Sequence, residues 1–203
     1  MYNVLYFFGF LLKKYLTVFT KRKKSYHIIV YIINLKLAMI IREVHITDAK
    51  NVVDFIKKVS DETDFLICAS DERELSVEKE REFIQTIEKS VLEKMFLCEI
   101  DEKIVGICSI RGINKKRVKH RVSLGISVLK EYWGRGIASK LIEYTINYCK
   151  SNNLKKIELD VRADNDRAIA LYKKFGFERE GEIRNFFYLN GVYYNCYLFG
   201  LLL

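Results

Sequence analysis

From Ile40 to the C-terminus, hydrophobic positions recur with two periods, and the switches between them mark the elements. Residues 40–46 fit a strand. Thr47 stands where it would cap a helix reaching residue 60, with Val52, Val53, Ile56 and Val59 on its apolar side. Ser76 is placed to cap a second helix running to about residue 93, with Glu78 and Glu80 in its first turn, the end at which the helix dipole favours negative charge. Strands at 96–100 and 104–110, joined by Asp101-Glu102-Lys103, predict a hairpin. A strand at 121–129 runs into Trp133-Gly134-Arg135-Gly136 and then a helix with Ile137, Leu141, Thr145 and Tyr148 at helical spacing. A strand at 156–161, a helix at 164–174 and two strands about Asn190-Gly191, a type I′ turn signal, complete the chain. Hairpins around one βαβα unit predict a mixed α/β sheet flanked by helices, in one domain spanning residues 39–203.

Residues 1–38 follow a different pattern. An apolar, aromatic run at 1–12 gives way to basic residues and then to a second apolar run at 28–35. Neither run reaches the roughly 18 to 20 residues that a membrane-spanning helix needs. The first basic pair follows the apolar run instead of preceding it, which argues against a secretory signal. Three readings stand: a peripheral membrane anchor with a polybasic patch, an extension packed on the domain, or sequence upstream of the true start, since Met39 directly precedes the first strand.

Half of the 203 residues are hydrophobic and 30% are charged, which excludes a disordered chain, a collagen-like repeat and a multi-span membrane protein. The net charge of +9 is unevenly spread. Seven of the 35 basic side chains and no acid fall in residues 1–38, leaving 28 basic against 26 acidic residues in the domain. A nearly neutral domain gives no electrostatic case for nucleic acid as a partner. Cys68, Cys98, Cys108, Cys149 and Cys196 form no C-x-x-C pair and have no neighbouring histidine, so they are expected as reduced thiols of a cytoplasmic protein and not as metal ligands.

Chemistry enters at the glycine turn. Gly134 and Gly136 remove side chains where the backbone turns, and the helix behind them opens with amide N–H groups that have no intrahelical acceptor. Such a turn can hold a pyrophosphate, with Arg135, Ser139 and Lys140 close enough in sequence to add side-chain contacts. Read as Gly134-x-Gly136-x-x-Ser139, with Asp160 in the next strand, it imitates a dinucleotide fingerprint. That fingerprint lacks its third glycine here, and a single βα unit follows before the closing hairpin. A plain turn without a ligand is the remaining alternative.

The turn, Trp133-Gly134-Arg135-Gly136-Ile137-Ala138, and the downstream run from Asn165-Asp166-Arg167-Ala168 through Leu171-Tyr172 to Gly176-Phe177 together resemble the two signature blocks of the GNAT superfamily of N-acetyltransferases. Those blocks read Gln/Arg-x-x-Gly-x-Gly/Ala and Asn-x-x-Ala-x-x-Leu-Tyr-x-x-x-Gly-Phe, and Trp133 replaces the usual first residue. The resemblance covers the chain from about residue 40 to its end and extends to small-molecule, amino-acid and ribosomal-protein N-terminal acetyltransferases. It implies a sheet splayed open between the strands at 121–129 and 156–161, with acetyl-CoA as co-substrate in the gap. It further implies cofactor contacts from Gly134, Arg135, Gly136, Ile137, Ala138 and Ser139, pairing of the Ile126, Ser127 and Val128 backbone with the pantetheine arm, and a cofactor-holding role for Asn165. Tyr172 is implied as the proton donor to the departing thiolate. Asp160 is implied as the base, because the ribosomal-protein enzymes carry a glutamate twelve residues before the tyrosine.

Each role has a structural counterpart: Tyr172 as a core aromatic beside Ala168 and Leu171, Asn165 as a helix N-cap, Asp160 in a surface salt bridge. His120 and Glu131 are rival bases. With reference pKa values near 10 for tyrosine and about 8.5 for a thiol, the proton transfer is uphill by roughly 2 kcal/mol. At pH 7 an α-amine is about one-tenth neutral, whereas a lysine is neutral roughly once in 2,500 molecules, so a weak base suits an α-amine better. Residues 184–197, with Phe186, Phe187, Tyr188, Tyr193 and Tyr194, are expected to wall the acceptor pocket or simply to pair across their hairpin. The expected partner is a small-molecule or peptide amine; the alternatives are a non-catalytic acetyl-CoA-binding regulatory module and a membrane-associated interaction protein acting through residues 1–38.

Overall fold

The computed structural model describes residues 39–68, 72 and 75–203; the readings of residues 1–38 lie outside the described residues. Seven strands form one sheet: β1 (Ile40–Glu43), β2 (Glu93–Ile100), β3 (Lys103–Gly112), β4 (Arg121–Val128), β5 (Lys156–Arg162), β6 (Glu178–Leu189) and β7 (Val192–Leu202). Their spatial order is β1-β2-β3-β4-β5-β7-β6. Among the described residues only β4 and β5 run parallel, because α3 (Ile137–Ser151) carries the chain back between them. The other helices are α1 (Ala49–Glu62), α2 (Val77–Glu88) and α4 (Asp166–Lys174).

Strand alternation sends side chains into two cores. Phe96 and Cys98 of β2 join Leu141 and Ile142 of α3, and Tyr172 of α4, on one face. Met95 and Leu97 join Val52, Phe55 and Val59 of α1 and Ile84 and Ile87 of α2 on the other. Phe96 is fully buried, with the rings of Tyr144 and Tyr148 each 5.1 Å away. Truncation to alanine there costs about 3–5 kcal/mol.

The first helix starts differently from the sequence reading. His45, not Thr47, begins it, through a short 3-10 turn at Ile46–Asp48, and α1 proper opens at Ala49. Asp48 closes the turn by accepting from the His45 N–H at 2.8 Å while the Arg42 guanidinium grips its carboxylate at 2.7 and 2.8 Å. A buried, arginine-paired aspartate outweighs a threonine cap. Ser76 caps α2 as expected, accepting from the Lys79 N–H at 3.1 Å, but that helix ends at Glu88. Both hairpin turns use left-handed residues: Asp101 and Glu102 at φ 51° and 63°, Asn190 and Gly191 at 51° and 82°.

The feature that positions the site is an incomplete pairing. β4 follows β3 from Val122 to Val128, but it meets β5 only at Arg121, Val122 and Ser123, opposite Lys156, Ile157 and Glu158. Beyond that point the two strands lose their pairing, and the sheet is splayed as expected.

Candidate active site

A cavity of about 1160 Å³ occupies the splay. Of the residues named from the sequence, Ile126, Ser127, Val128, Gly134, Gly136, Ile137, Ala138, Ser139, Asp160, Asn165 and Tyr172 all line it. Arg135 does not: its guanidinium stacks over the Tyr132 ring, 4.9 Å from the centroid.

The glycine turn is open main chain. Gly134 and Gly136 both sit at φ 77°, and a side chain at either would meet nothing within 4 Å. The glycines are therefore required by backbone conformation, and they leave the turn bare toward the cavity. Gly136 begins α3 without a side-chain cap, and the first turn holds no acid. Ile137, Ala138 and Ser139 thus present amides with no intrahelical acceptor, at the positive end of a helix of 15 residues. That arrangement fits a diphosphate.

Two residues outside the sequence expectation complete this side. The Trp133 indole N–H donates to the Val128 carbonyl at 2.7 Å, tying the turn to the end of β4. The Arg167 guanidinium, from the first turn of α4, lies over the Trp133 ring at 4.4 Å and lines the cavity. The contact links the arm carried by β4 to the arm carried by β5. The only sequence hint was Trp133 itself, as a departure from the family pattern.

On the opposite arm, the Asn165 side chain caps α4, accepting from the Ala168 N–H at 3.2 Å, and its residue borders the cavity. Tyr172 is 7% exposed and packs against Phe177 and Phe199, with ring centroids 5.8 and 6.5 Å away. Burial, with the Cys108 thiol nearby, pushes its phenol well above the usual range. Asp160 alternates with the buried Ile157, Leu159 and Val161, as expected, so it faces the cavity. Burial raises its carboxyl pKa, and Glu158 adds to the rise. Glu131 is held otherwise: hydrogen bonds from Lys58 at 2.7 Å and Lys103 at 2.9 Å take its carboxylate down to about 2. Neither Glu131 nor His120 lines the cavity.

The remaining wall comes from the face that carries α1 and α2. Phe55, Val59, Phe83, Ile87, Met95 and Ile107 are apolar lining, above a floor of Ser109, Ser123, Gly125 and Ser127. Of the two readings of the aromatic hairpin, cross-strand pairing is the one the structure shows. Phe186, Phe187, Tyr188, Tyr193 and Tyr194 are all absent from the lining. Tyr188 and Tyr193 pair across the hairpin at 4.8 Å while 66% and 61% exposed. The two-residue turn holds their strands in register outside the cavity lining, so cross-strand packing is what these two tyrosines do. Tyr194 reaches the site indirectly, over the Arg162 guanidinium at 4.5 Å.

Comparison with known proteins agrees with this architecture. The model of the acetyltransferase (GNAT) family matches residues 61–177, and the chain belongs to that family. A GNAT-family acetyltransferase from Streptococcus pneumoniae superposes with a TM-score of 0.80 at 33% identity, covering 82% of this chain and 100% of that one. Among curated relatives, the spermidine N(1)-acetyltransferase of Escherichia coli K12 is 35% identical over 105 residues, 51% of this chain and 55% of that protein. The L-amino acid N-acetyltransferase of the same strain is 36% identical over 105 residues, 51% of this chain and 65% of that protein. The chain therefore spans less than two thirds of the length of either curated relative it matches. The GNAT family uses acetyl-CoA as co-substrate.

Proposed function

We propose that residues 39–203 form an N-acetyltransferase domain that moves the acetyl group of acetyl-CoA to a primary amine of a small molecule or peptide, by direct attack on the thioester. The observation that carries this reading is the convergence on one splayed cavity of the bare amide turn at 134–139, the Asp160 carboxylate and the Tyr172 phenol. The turn binds the diphosphate through the amides of Ile137, Ala138 and Ser139, with Arg167 supplying positive charge beside them. Main-chain groups of Ile126, Ser127 and Val128 guide the pantetheine arm; the Val128 carbonyl is already bound to Trp133, so the other groups of that edge carry the pairing. The S. pneumoniae relative, a GNAT acetyltransferase, and the two curated relatives, which act on spermidine and on L-amino acids, support an amine acceptor.

Asp160 takes a proton from the ammonium, directly or through water, and its raised pKa makes it a stronger base than an ordinary aspartate. The free amine attacks the acetyl carbon, the C–N bond forms as the C–S bond breaks, the departing thiolate takes the Tyr172 proton, and the second proton shed by the nitrogen as the amide forms returns to the phenolate. Burial holds the phenol neutral, which makes it a reluctant donor. The same desolvation acts on the thiolate leaving into that cavity and raises its demand for the proton, so the two effects oppose each other. Reduced, mostly buried cysteines suit a cytoplasmic setting. The test is release of free thiol from acetyl-CoA across a panel of amines. Turnover with at least one amine is expected; cofactor binding without turnover on any amine would identify a non-catalytic acetyl-CoA-binding module instead.

A further inference from the structure

The cationic groups of the cavity are not equally committed. Arg162 gives two hydrogen bonds to Asp164, at 2.7 and 3.1 Å, and a third to the Asp64 carbonyl at 3.0 Å, and it lies between the rings of Phe65 and Tyr194. Lys94 is bound to the Glu43 carboxylate at 2.9 Å and to the Glu88 carbonyl at 3.0 Å. Arg167 is stacked on Trp133 at the cofactor turn. Arg111, on β3, also lines the cavity, yet among the described residues its guanidinium makes no hydrogen bond or ion pair and only overlies the Phe83 ring at 5.9 Å.

Its position is set by register. Arg111 stands opposite Ser123 of β4, and Ser123 opposite Glu158 of β5, so the three share a face with Asp160, two residues further along β5. Two strand spacings and two residues of rise separate the Arg111 and Asp160 backbones by at least about 12 Å, more where the splay opens. The long arginine side chain closes much of that distance across the small floor of Ser109, Ser123 and Gly125, where only the Ser109 hydroxyl comes within 4 Å of a Cβ built on Gly125. Glu93, opposite Arg111 on β2, and Glu80 of α2 also line the cavity, and neither makes an ion pair with Arg111. An apolar wall of Phe83, Ile87, Met95 and Ile107 stands over this floor.

We infer that the acceptor is a small amine carrying its own carboxylate, an α-amino acid with an apolar side chain, held by Arg111 at the carboxylate and offered to Asp160 at the amine. This rests on the acetyltransferase reading above and narrows its substrate class. The guanidinium fork matches a carboxylate in two parallel hydrogen bonds. A polyamine has no carboxylate to offer this guanidinium, and a peptide α-amine has none adjacent to its nitrogen.

The experiment compares L-phenylalanine or L-leucine with the corresponding amide and with spermidine, by thiol release from acetyl-CoA with the full chain. The amide's amine is less basic and more often neutral at pH 7, so nucleophile supply alone favours the amide. A kcat/KM for the free acid at least about tenfold above the amide is expected, the range of a hydrogen bond to a charged group. Arg111→Ala should lower that acid-to-amide ratio by about tenfold or more, and Arg111→Lys should restore only part of it. Preference of the wild-type chain for the amide or for spermidine would overturn the inference and leave the acetyltransferase reading standing, and it needs no variant to fold. No turnover with any amine, together with no acetyl-CoA binding by calorimetry, would overturn both.

Discussion

The two sides of the cavity are built on opposite plans. In the proposed reading, recognition on the cofactor side is mostly main-chain chemistry from short contiguous stretches, the edge of β4, the turn at Gly134 and Gly136 and the first turn of α3, with the Arg167 side chain added from α4. On the acceptor side, it is side-chain chemistry from α1, α2, β2, β3 and β5, elements far apart in sequence and brought together only by the sheet. Amides at a helix start cannot be chosen residue by residue, so a family shares them; side chains on a strand face can be exchanged without disturbing the fold. The difference explains how one fold serves many acceptors.

Substitutions on each side sharpen that contrast. The largest effect is expected at Tyr172→Phe, which keeps the ring packing against Phe177 and Phe199 but removes the proton. Turnover should fall about a hundredfold or more, with the KM for acetyl-CoA little changed in steady-state kinetics. Unaltered turnover would reduce Tyr172 to a core aromatic. Arg167→Ala should weaken acetyl-CoA binding by about tenfold, measured by calorimetry, since a partly exposed cation over an aromatic ring beside a diphosphate contributes on the order of 1–2 kcal/mol. Affinity equal to wild type would remove Arg167 from the cofactor side.

The smallest effect is a stability shift at Asp160. Its carboxyl pKa is raised in the folded chain, mainly by burial, so the ionised form opposes folding above that pKa, whereas below the unfolded value both states are protonated and the penalty is gone. Asp160→Asn should therefore raise the melting temperature at pH 7 and confer no advantage at pH 3, while lowering turnover. The acidic limb of the wild-type rate profile should lie above the ordinary aspartate range and disappear in the variant. A melting temperature at pH 7 below that of wild type would show that the carboxylate is held by favourable contacts instead.

The same division governs what could be read from the chain alone. The glycine turn, the Asn165 cap, the Tyr172 position and both hairpins follow from local patterns, because each depends on φ, on capping or on residues within a few positions. The helix start at His45 was missed because it depends on Arg42 and Asp48 meeting across a turn. The aromatic hairpin stays open between pocket wall and cross-strand pair in the sequence because aromatic content does not report where a strand pair projects. Arg135 carries a charge next to the turn yet is drawn onto Tyr132, while Arg167, 33 residues from Gly134, brings its guanidinium to the cavity lining. Arg111 had no local signal, since whether an arginine on a strand face finds an acid depends on residues of other elements.

The central claim, that bare main-chain amides at 134–139 grip coenzyme A, is tested most directly by isothermal titration of the full chain and of Gly136→Val with acetyl-CoA and CoA. Valine at φ 77° strains the turn and fills the open space beside it. The account predicts saturable binding of both coenzymes by the wild-type chain and at least about a tenfold loss in a variant whose circular dichroism remains native. No binding by the folded wild-type chain, or equal affinity in the two proteins, would contradict it.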